Sequence, residues 1–188
     1  MFGFQKRHMV VPLAFVLALA FAGPAAADET QERLDALFEE LSEEGRTDWM
    51  RIEREIQRIW SNSGSDAMDL LLERGKEAME AGDYDAALDH LGALTDHAPE
   101  FAEGWNARAT TYYLMEEYAL SIADVERVLA LNPRHFGALS GLAIMLERMG
   151  ETTYALRAMR AVRALNPNRP DVNDALERLE RETGAADL

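Results

Sequence analysis

Cysteine is absent from the 188-residue chain. Without thiols the protein can form neither a disulfide framework nor a thiolate metal site, and it has no cysteine nucleophile. The absence also excludes a lipid anchor of the bacterial lipoprotein kind, because that lipid is attached to a cysteine at the cleavage point.

Positive charge is scarce after the first few residues. The chain has 34 acidic side chains and 19 basic ones, and the basic Lys6 and Arg7 lie in an N-terminal segment without acidic residues. The net charge of −15 therefore becomes −15 − 2 = −17 for the remainder. Such an acidic surface repels nucleic-acid phosphates and anionic membranes, so neither is an expected partner. The charge is typical of a protein kept soluble by repulsion, and a basic partner stays open.

A short apolar run predicts a secretory signal peptide over residues 1–27. Lys6 and Arg7 precede the run Met9–Ala22, and Ala25 to Ala27 supply small residues before Asp28. We expect cleavage after Ala27 and a periplasmic location, with secretion as the alternative. A retained leader would tether the protein to the membrane, but 14 helical residues span only ~21 Å of a ~30 Å hydrocarbon core. After cleavage no stable membrane insertion is expected.

Residue types recur every 34 positions in the second part of the chain. Proline, a large apolar residue and two small residues hold fixed offsets: Pro99, Pro133, Pro167; Leu71, Trp105, Leu139; Gly75, Ala109, Ala143; Ala87, Ser121, Ala155. Proline ends a helix, and small residues let two helix axes approach closely. Each period is therefore one repeat unit, and units of this kind must stack to cover their apolar faces.

This order of large, small, aromatic, small and proline residues resembles the tetratricopeptide repeat. The middle period matches the family pattern best, with Trp105, Ala109, Tyr112 and Pro133. The third period departs from it, with Thr152 where an aromatic residue is usual. The resemblance implies an all-α, right-handed α-solenoid of three helix-turn-helix repeats. Their bounds are about 68–101, 102–135 and 136–169, within a repeat region of 66–169.

Helical apolar spacing also occurs on both sides of the repeats. Residues 30–44 and 47–60 show apolar stripes, which predict a helix pair within 28–65, either a degenerate repeat or an N-terminal cap. Ser65 is a candidate N-cap for the next helix. Trp49 and Trp60 fit core packing better than partner contact. In residues 170–188, Val172, Leu176 and Leu179 form the single stripe of a capping helix followed by a tail.

No arrangement of residues predicts catalysis, a cofactor or a metal. His90, His97 and His135 lack a second histidine three or four positions away, and we interpret them as surface side chains. Asp83 and Asp85 lack the remaining ligands of an EF-hand and suit a turn between repeat helices. The sequence therefore predicts a protein that is not an enzyme.

Family resemblance places the ligand groove on the exposed face of the first helix of each repeat. Carried onto this chain, the groove positions are Asp69, Leu72, Lys76, Met79, Glu103, Asn106, Thr110, Tyr113, Gly137, Ser140, Ile144 and Glu147. Their mixed character suits an extended peptide or a partner helix. Only Lys76 and Asn106 could serve in a clamp for a C-terminal carboxylate, so this set does not favour binding of chaperone tails.

These observations predict a scaffold or adaptor that binds a segment of an unidentified envelope protein in its groove. Two alternatives stay open at this stage. The solenoid could self-assemble into a homo-oligomer with a structural role, or a retained leader could make it a membrane-tethered accessory subunit.

Overall fold

The computed structural model describes residues 24–184, and this part of the chain consists of nine α-helices without a strand. Residues 1–23, with most of the predicted leader, and residues 185–188 lie outside the described residues. The helices are α1 Pro24–Ser42, α2 Trp49–Trp60, α3 Asp66–Glu80, α4 Tyr84–His97, α5 Ala102–Leu114, α6 Tyr118–Leu131, α7 Phe136–Arg148, α8 Thr152–Leu165 and α9 Pro170–Thr183. The all-α prediction is confirmed. Within the described range no helix is long and apolar enough to cross a membrane.

Three hairpins, α3–α4, α5–α6 and α7–α8, form the repeats, and small residues set the distance between their helices. A Cβ added to Gly75 would lie 2.5 Å from Cγ of Leu91, so only glycine permits this approach of α3 to α4. In the second hairpin, Ser121 is buried and its hydroxyl donates to the carbonyl of Ala109 at 2.7 Å. The residues predicted to hold the close-packing positions therefore do so.

The turn between the two helices of each repeat uses a left-handed residue. Gly82 and Gly150 have φ of 77° and 80°, a conformation that glycine adopts without steric conflict. The equivalent position of the second repeat is Glu116, with φ of 62°, the only non-glycine residue with positive φ between 24 and 184. The second turn is therefore strained relative to the other two.

A part-buried ion pair within the second repeat also reaches the first repeat through one hydrogen bond. Arg108 on α5 donates to both carboxylate oxygens of Asp124 on α6, each at 2.8 Å, and to the hydroxyl of Thr95 on α4, also at 2.8 Å. The Asp124 carboxylate holds the pKa of Arg108 above its ordinary value. This contact ties three helices together, and nothing in the 34-residue pattern predicted it.

Helix α9 covers the last hairpin. Val172, Leu176 and Leu179 are buried against α8, as their spacing predicted, and most other residues of the helix are polar. A terminal helix of this kind ends the stack without leaving an apolar face for another repeat.

The N-terminal hairpin α1–α2 does not stack on the first repeat, as a degenerate repeat or terminal cap would. Its apolar stripe packs instead with Phe136 and Leu165, which belong to the third repeat. Nδ2 of Asn168 donates to the carbonyl of Glu43 at 2.8 Å, and Arg134 forms an ion pair with Asp35. The hairpin therefore lies along the loops that join consecutive repeats, at one edge of the solenoid.

The link between α2 and α3 differs from expectation in one detail. Ser65 occupies the N-cap position of α3, but its side chain makes no capping hydrogen bond. Asp69 orders this link instead, because its carboxylate accepts from the backbone N–H of Ser63 at 2.8 Å and from the Ser63 hydroxyl.

Candidate functional site

The concave surface is formed by α3, α5 and α7, the first helices of the three repeats. A cavity of about 130 Å³ opens on it between α5 and α7. Its lining residues are Asn106, Ala109, Thr110, Tyr113, Ser121, Val125, Gly137, Ala138, Gly141, Ile144 and Met145. Five of the predicted groove positions, those at 106, 110, 113, 137 and 144, are thus brought to one cavity.

The cavity exists because two positions on α7 have no side chain. A Cβ at Gly141 would meet no atom within 4 Å, and one at Gly137 would meet only the ring of His135, at 3.4 Å. Apolar side chains such as Ile144 form most of the wall, whereas Asn106 and Thr110 supply polar groups. The sequence pattern did not point to Gly141, since an isolated glycine inside a helix is not a binding signal by itself.

Glu103 lies at the centre of a polar cluster beside this cavity. Its carboxylate accepts from Nζ of Lys76 at 2.9 Å and from Nδ2 of Asn106 at 3.2 Å, and Nε2 of His135 lies 3.2 Å away. Burial raises the pKa of this carboxyl, but the hydrogen bond from His135 and the charge of Lys76 outweigh it and leave the pKa below its ordinary value. Glu103 is therefore a charged group satisfied within the protein.

His135 contradicts the interpretation of all three histidines as surface residues, because it is only 3% exposed. Its Nδ1 accepts from the backbone N–H of Ala138 at 3.1 Å and so caps α7. With Nδ1 as the acceptor, a neutral ring carries its proton on Nε2, which faces Glu103. The sequence did offer a signal for this capping role. His135 directly precedes the predicted third repeat, and a side-chain acceptor at that place can bind a free backbone N–H at the start of a helix.

Trp60 closes the cluster from the side of the N-terminal hairpin. Its indole stacks on His135 and also contacts Phe38 and Phe136 at ring-centroid distances of 5.9 and 5.1 Å. Trp49 packs against the apolar side chains that the N-terminal hairpin buries together with Phe136. Both tryptophans are packing residues, as their spacing favoured, and the interface they form lies between the hairpin and the third repeat.

The remaining groove positions are less available to a partner. Leu72, predicted to line the groove, is 3% exposed and packs in the core of the first repeat, so this assignment is corrected. Asp69 orders the α2–α3 link, and Glu147 accepts from Nη2 of Arg178 at 3.0 Å. Met79 packs against the same core and its sulfur lies 3.6 Å from the Thr111 hydroxyl. Ser140 keeps a buried hydroxyl that has no hydrogen-bond partner among the described residues.

Lys76 and Asn106, the two residues that could have held a carboxylate ligand, are both bound to Glu103. A ligand carboxylate at this place would have to displace an internal carboxylate that is already bound. Residues 24–184 also contain no group of three or more potential metal ligands. The geometry fits recognition of an apolar side chain between α5 and α7.

Fold and site together define an α-solenoid of helix hairpins with a cavity on its concave surface. A family model for the tetratricopeptide repeat matches residues 72–124 and 106–170, more than half of the chain. A TPR repeat-containing protein of Rhizobium etli is 37% identical over 168 residues, covering 82% of each chain. The chain belongs to the tetratricopeptide repeat family.

Several solved structures share the fold. The first TPR domain of Spaghetti (RPAP3), bound to an HSP90 peptide, has a TM-score of 0.60 and 22% identity, covering 64% of this chain and 95% of that one. The type III secretion chaperone SycD of Yersinia enterocolitica, in complex with a peptide of the translocator YopD, has a TM-score of 0.59 and 18% identity, covering 63% and 96%. MamA has a TM-score of 0.59 and 18% identity and covers 89% and 88%, so that similarity extends beyond the three repeats.

Proposed function

We propose that this protein is a non-enzymatic scaffold or adaptor of the cell envelope, which holds a segment of a partner protein on its concave surface. Membership of the tetratricopeptide repeat family supports this function, since such repeats typically serve as interaction modules. The similar Spaghetti (RPAP3) and SycD structures each hold a peptide of another protein.

The cavity between α5 and α7 is the observation that carries the proposal. Its volume of about 130 Å³ is close to that of an apolar cavity of roughly 150 Å³ that holds benzene, so an aliphatic or aromatic side chain fits. Nδ2 of Asn106 and the Thr110 hydroxyl already donate within the protein, but Oδ1 of Asn106 and the Thr110 oxygen can accept from backbone N–H groups of the segment that carries this side chain. The partner is therefore a peptide or helix with an apolar anchor residue.

Filling the cavity tests this function. Gly141→Leu places a side chain in the cavity without a clash at Cβ, and Gly92→Leu is the matched control, because a Cβ at Gly92 on α4 also meets no atom within 4 Å. Both variants and the wild type are crosslinked in envelope extracts, and the recovered proteins are quantified by mass spectrometry. We expect Gly141→Leu to lose at least one partner that Gly92→Leu and the wild type retain. Equal recovery by all three proteins would remove the groove from the proposal.

The location is proposed from the leader pattern in residues 1–27. N-terminal sequencing of the protein from a periplasmic fraction should give a first residue of Asp28. A protein that still begins at Met1 would instead favour the membrane-tethered alternative. Light scattering of the cleaved protein separates the adaptor from the self-assembling alternative, for which a mass above that of a monomer is expected.

A further inference from the structure

A second apolar surface lies at the edge of the solenoid opposite the N-terminal hairpin, where the two helices of each repeat are joined. We call it the turn-edge surface. It consists of five side chains that are 36–55% exposed, Leu114, Met115, Leu120, Met149 and Tyr154. No prediction from the sequence singled out these residues, and the concave groove does not include them.

The repeat geometry makes these side chains neighbours. Met115 and Met149 are 34 positions apart, as are Leu120 and Tyr154, so each pair occupies equivalent places in the second and third repeats. The two turns are in contact, since Arg148 beside Met149 donates to the Tyr118 hydroxyl at 2.9 Å. In the first repeat the equivalent positions hold alanine, which limits the surface to two repeats. Exposed apolar patches of this kind are typical of interaction sites.

Charged side chains of both signs lie in or beside the turns of the turn-edge surface. Glu116, Glu117 and Glu151 lie in the turns themselves, and none of them forms an ion pair with another described residue. The nearby cations, Arg148 and Arg157, lie over tyrosine rings at 5.4 and 5.6 Å. The surface therefore combines an apolar centre with a rim of three carboxylates and two guanidinium groups, which carries a net negative charge.

Glu116 adds an independent indication that this turn has a role beyond packing. It holds a left-handed backbone conformation that glycine provides in the other two repeats. A glutamate in this conformation is strained, and strained residues concentrate at functional sites. The second turn thus keeps a carboxylate at a place where glycine would be more stable.

We infer that the turn-edge surface docks a basic amphipathic helix of a partner protein. The apolar face of the helix packs on the methionine, leucine and tyrosine side chains, while its lysines and arginines pair with the carboxylates of the rim. A second copy of this chain does not fit, because a symmetric contact would bring the two negative rims together. An anionic membrane is repelled by the same rim.

Binding of a defined helical peptide tests the inference. The probe is an amidated peptide of leucine and lysine, about 16 residues and roughly 24 Å long as a helix. Its binding to the purified protein is measured by calorimetry and by the methyl NMR signals of methionine. We expect the signals of Met115 and Met149 to shift and that of Met50, on α2, to stay unchanged.

Matched variants separate this surface from exposed apolar residues in general. Met149→Ser with Tyr154→Ser should weaken peptide binding about tenfold, as is typical when central contact residues are truncated. Met50→Ser with Leu70→Ser is the control, since these residues are 56% and 47% exposed on other helices. Equal weakening by both double variants contradicts the inference.

Charge variants test the rim. Glu116→Gln, Glu117→Gln and Glu151→Gln together should weaken binding at low salt and flatten its salt dependence. The control is Glu39→Gln, Glu44→Gln and Glu126→Gln, three carboxylates elsewhere without ion pairs among the described residues. The inference is overturned if a leucine and glutamate peptide binds equally well. It is also overturned if phosphatidylcholine vesicles shift the same methyl signals, or if Met149→Ser with Tyr154→Ser converts a dimer into a monomer.

Discussion

The indole of Trp60 lies over the imidazole of His135, with ring centroids 4.5 Å apart and ring planes 17° apart. Through this contact the last residue of α2 covers the residue that caps α7. His135 in turn faces Glu103, so the N-terminal hairpin, the third repeat and the concave surface meet at one buried cluster. The position of the hairpin is thereby coupled to the wall of the proposed groove.

Truncation of Trp60 should release the hairpin. Trp60→Ala removes contacts to His135, Phe38 and Phe136, and large aromatic deletions of this kind destabilise by about 3–5 kcal/mol when fully buried. Trp60 is partly exposed, so we expect a loss near the lower end of that range. Hydrogen exchange measured by mass spectrometry should accelerate in α1 and α2 and stay slow in α5 and α6. Met50→Ala, at an exposed position of α2, should leave exchange unchanged.

Neutralisation of Glu103 should reduce stability in a pH-dependent way. The folded-state pKa of this carboxyl lies below its ordinary value of 4.5, so its charge stabilises the fold above that pH. This contribution is lost as the pH falls through the lower folded-state pKa. Glu103→Gln should therefore destabilise at pH 7 by about 1–3 kcal/mol, with a difference from wild type that shrinks below about pH 4.5.

Urea denaturation at several pH values measures the effect of Glu103→Gln. The control is Glu126→Gln, at an exposed residue of α6 without an ion pair among the described residues. A difference from wild type that persists unchanged at low pH would show that the loss comes from packing and not from the charge.

The repeats were predictable because their packing is periodic. Positions such as Gly75 and Ser121 must be small wherever two helices approach closely, and this requirement recurs every 34 residues in the sequence. The period therefore predicted the repeats, and the family resemblance indicated the hairpins and the exposed face of their first helices. The stripe of Leu176 and Leu179 predicted the capping helix for a similar local reason.

The placement of the N-terminal hairpin could not be predicted in this way. It depends on pairs such as Asn168 with Glu43 and Arg134 with Asp35, which are 125 and 99 residues apart. An apolar stripe shows that a helix buries one face, but it does not show which surface covers that face. The buried state of His135 was missed for the same reason, since the covering residue, Trp60, comes from this hairpin.

The groove was predictable only in part. The family register indicated which residues face the concave surface, and four of the side chains that line the cavity come from that set. The hydrogen bonds between groove residues could not be predicted. The Glu103 carboxylate accepts from Lys76 of the first repeat and from Asn106 of the second. Residue identity alone does not distinguish a free lysine from one that is already bound.

Two glycines inside first helices of the repeats should respond to alanine with opposite signs, because one is tightly packed and the other is not. Gly75→Ala places a Cβ 2.5 Å from Leu91, and overpacking of this kind destabilises by about 1–3 kcal/mol. Gly141→Ala meets no atom within 4 Å and should stabilise α7 by about 0.5–1 kcal/mol, since alanine favours the helix. Thermal denaturation of both variants measures the signs. A similar change in the melting temperature of both would contradict the close approach of α3 and α4.

Relief of the strained turn should raise stability. Glu116→Gly removes a side chain from a left-handed position, where a non-glycine residue is less stable by about 1–2 kcal/mol. Glycine also raises the conformational entropy of the unfolded chain, which lowers the free energy of unfolding. We therefore expect a net stabilisation of about 0.5–1 kcal/mol. Gly150→Ala is the mirror experiment in the third repeat and should destabilise, because its φ is 80°. If Glu116→Gly raises the unfolding midpoint in urea while it weakens binding of the basic peptide, stability and recognition oppose each other at this turn. A variant that lowers the midpoint would show that the left-handed glutamate is held by contacts stronger than its strain.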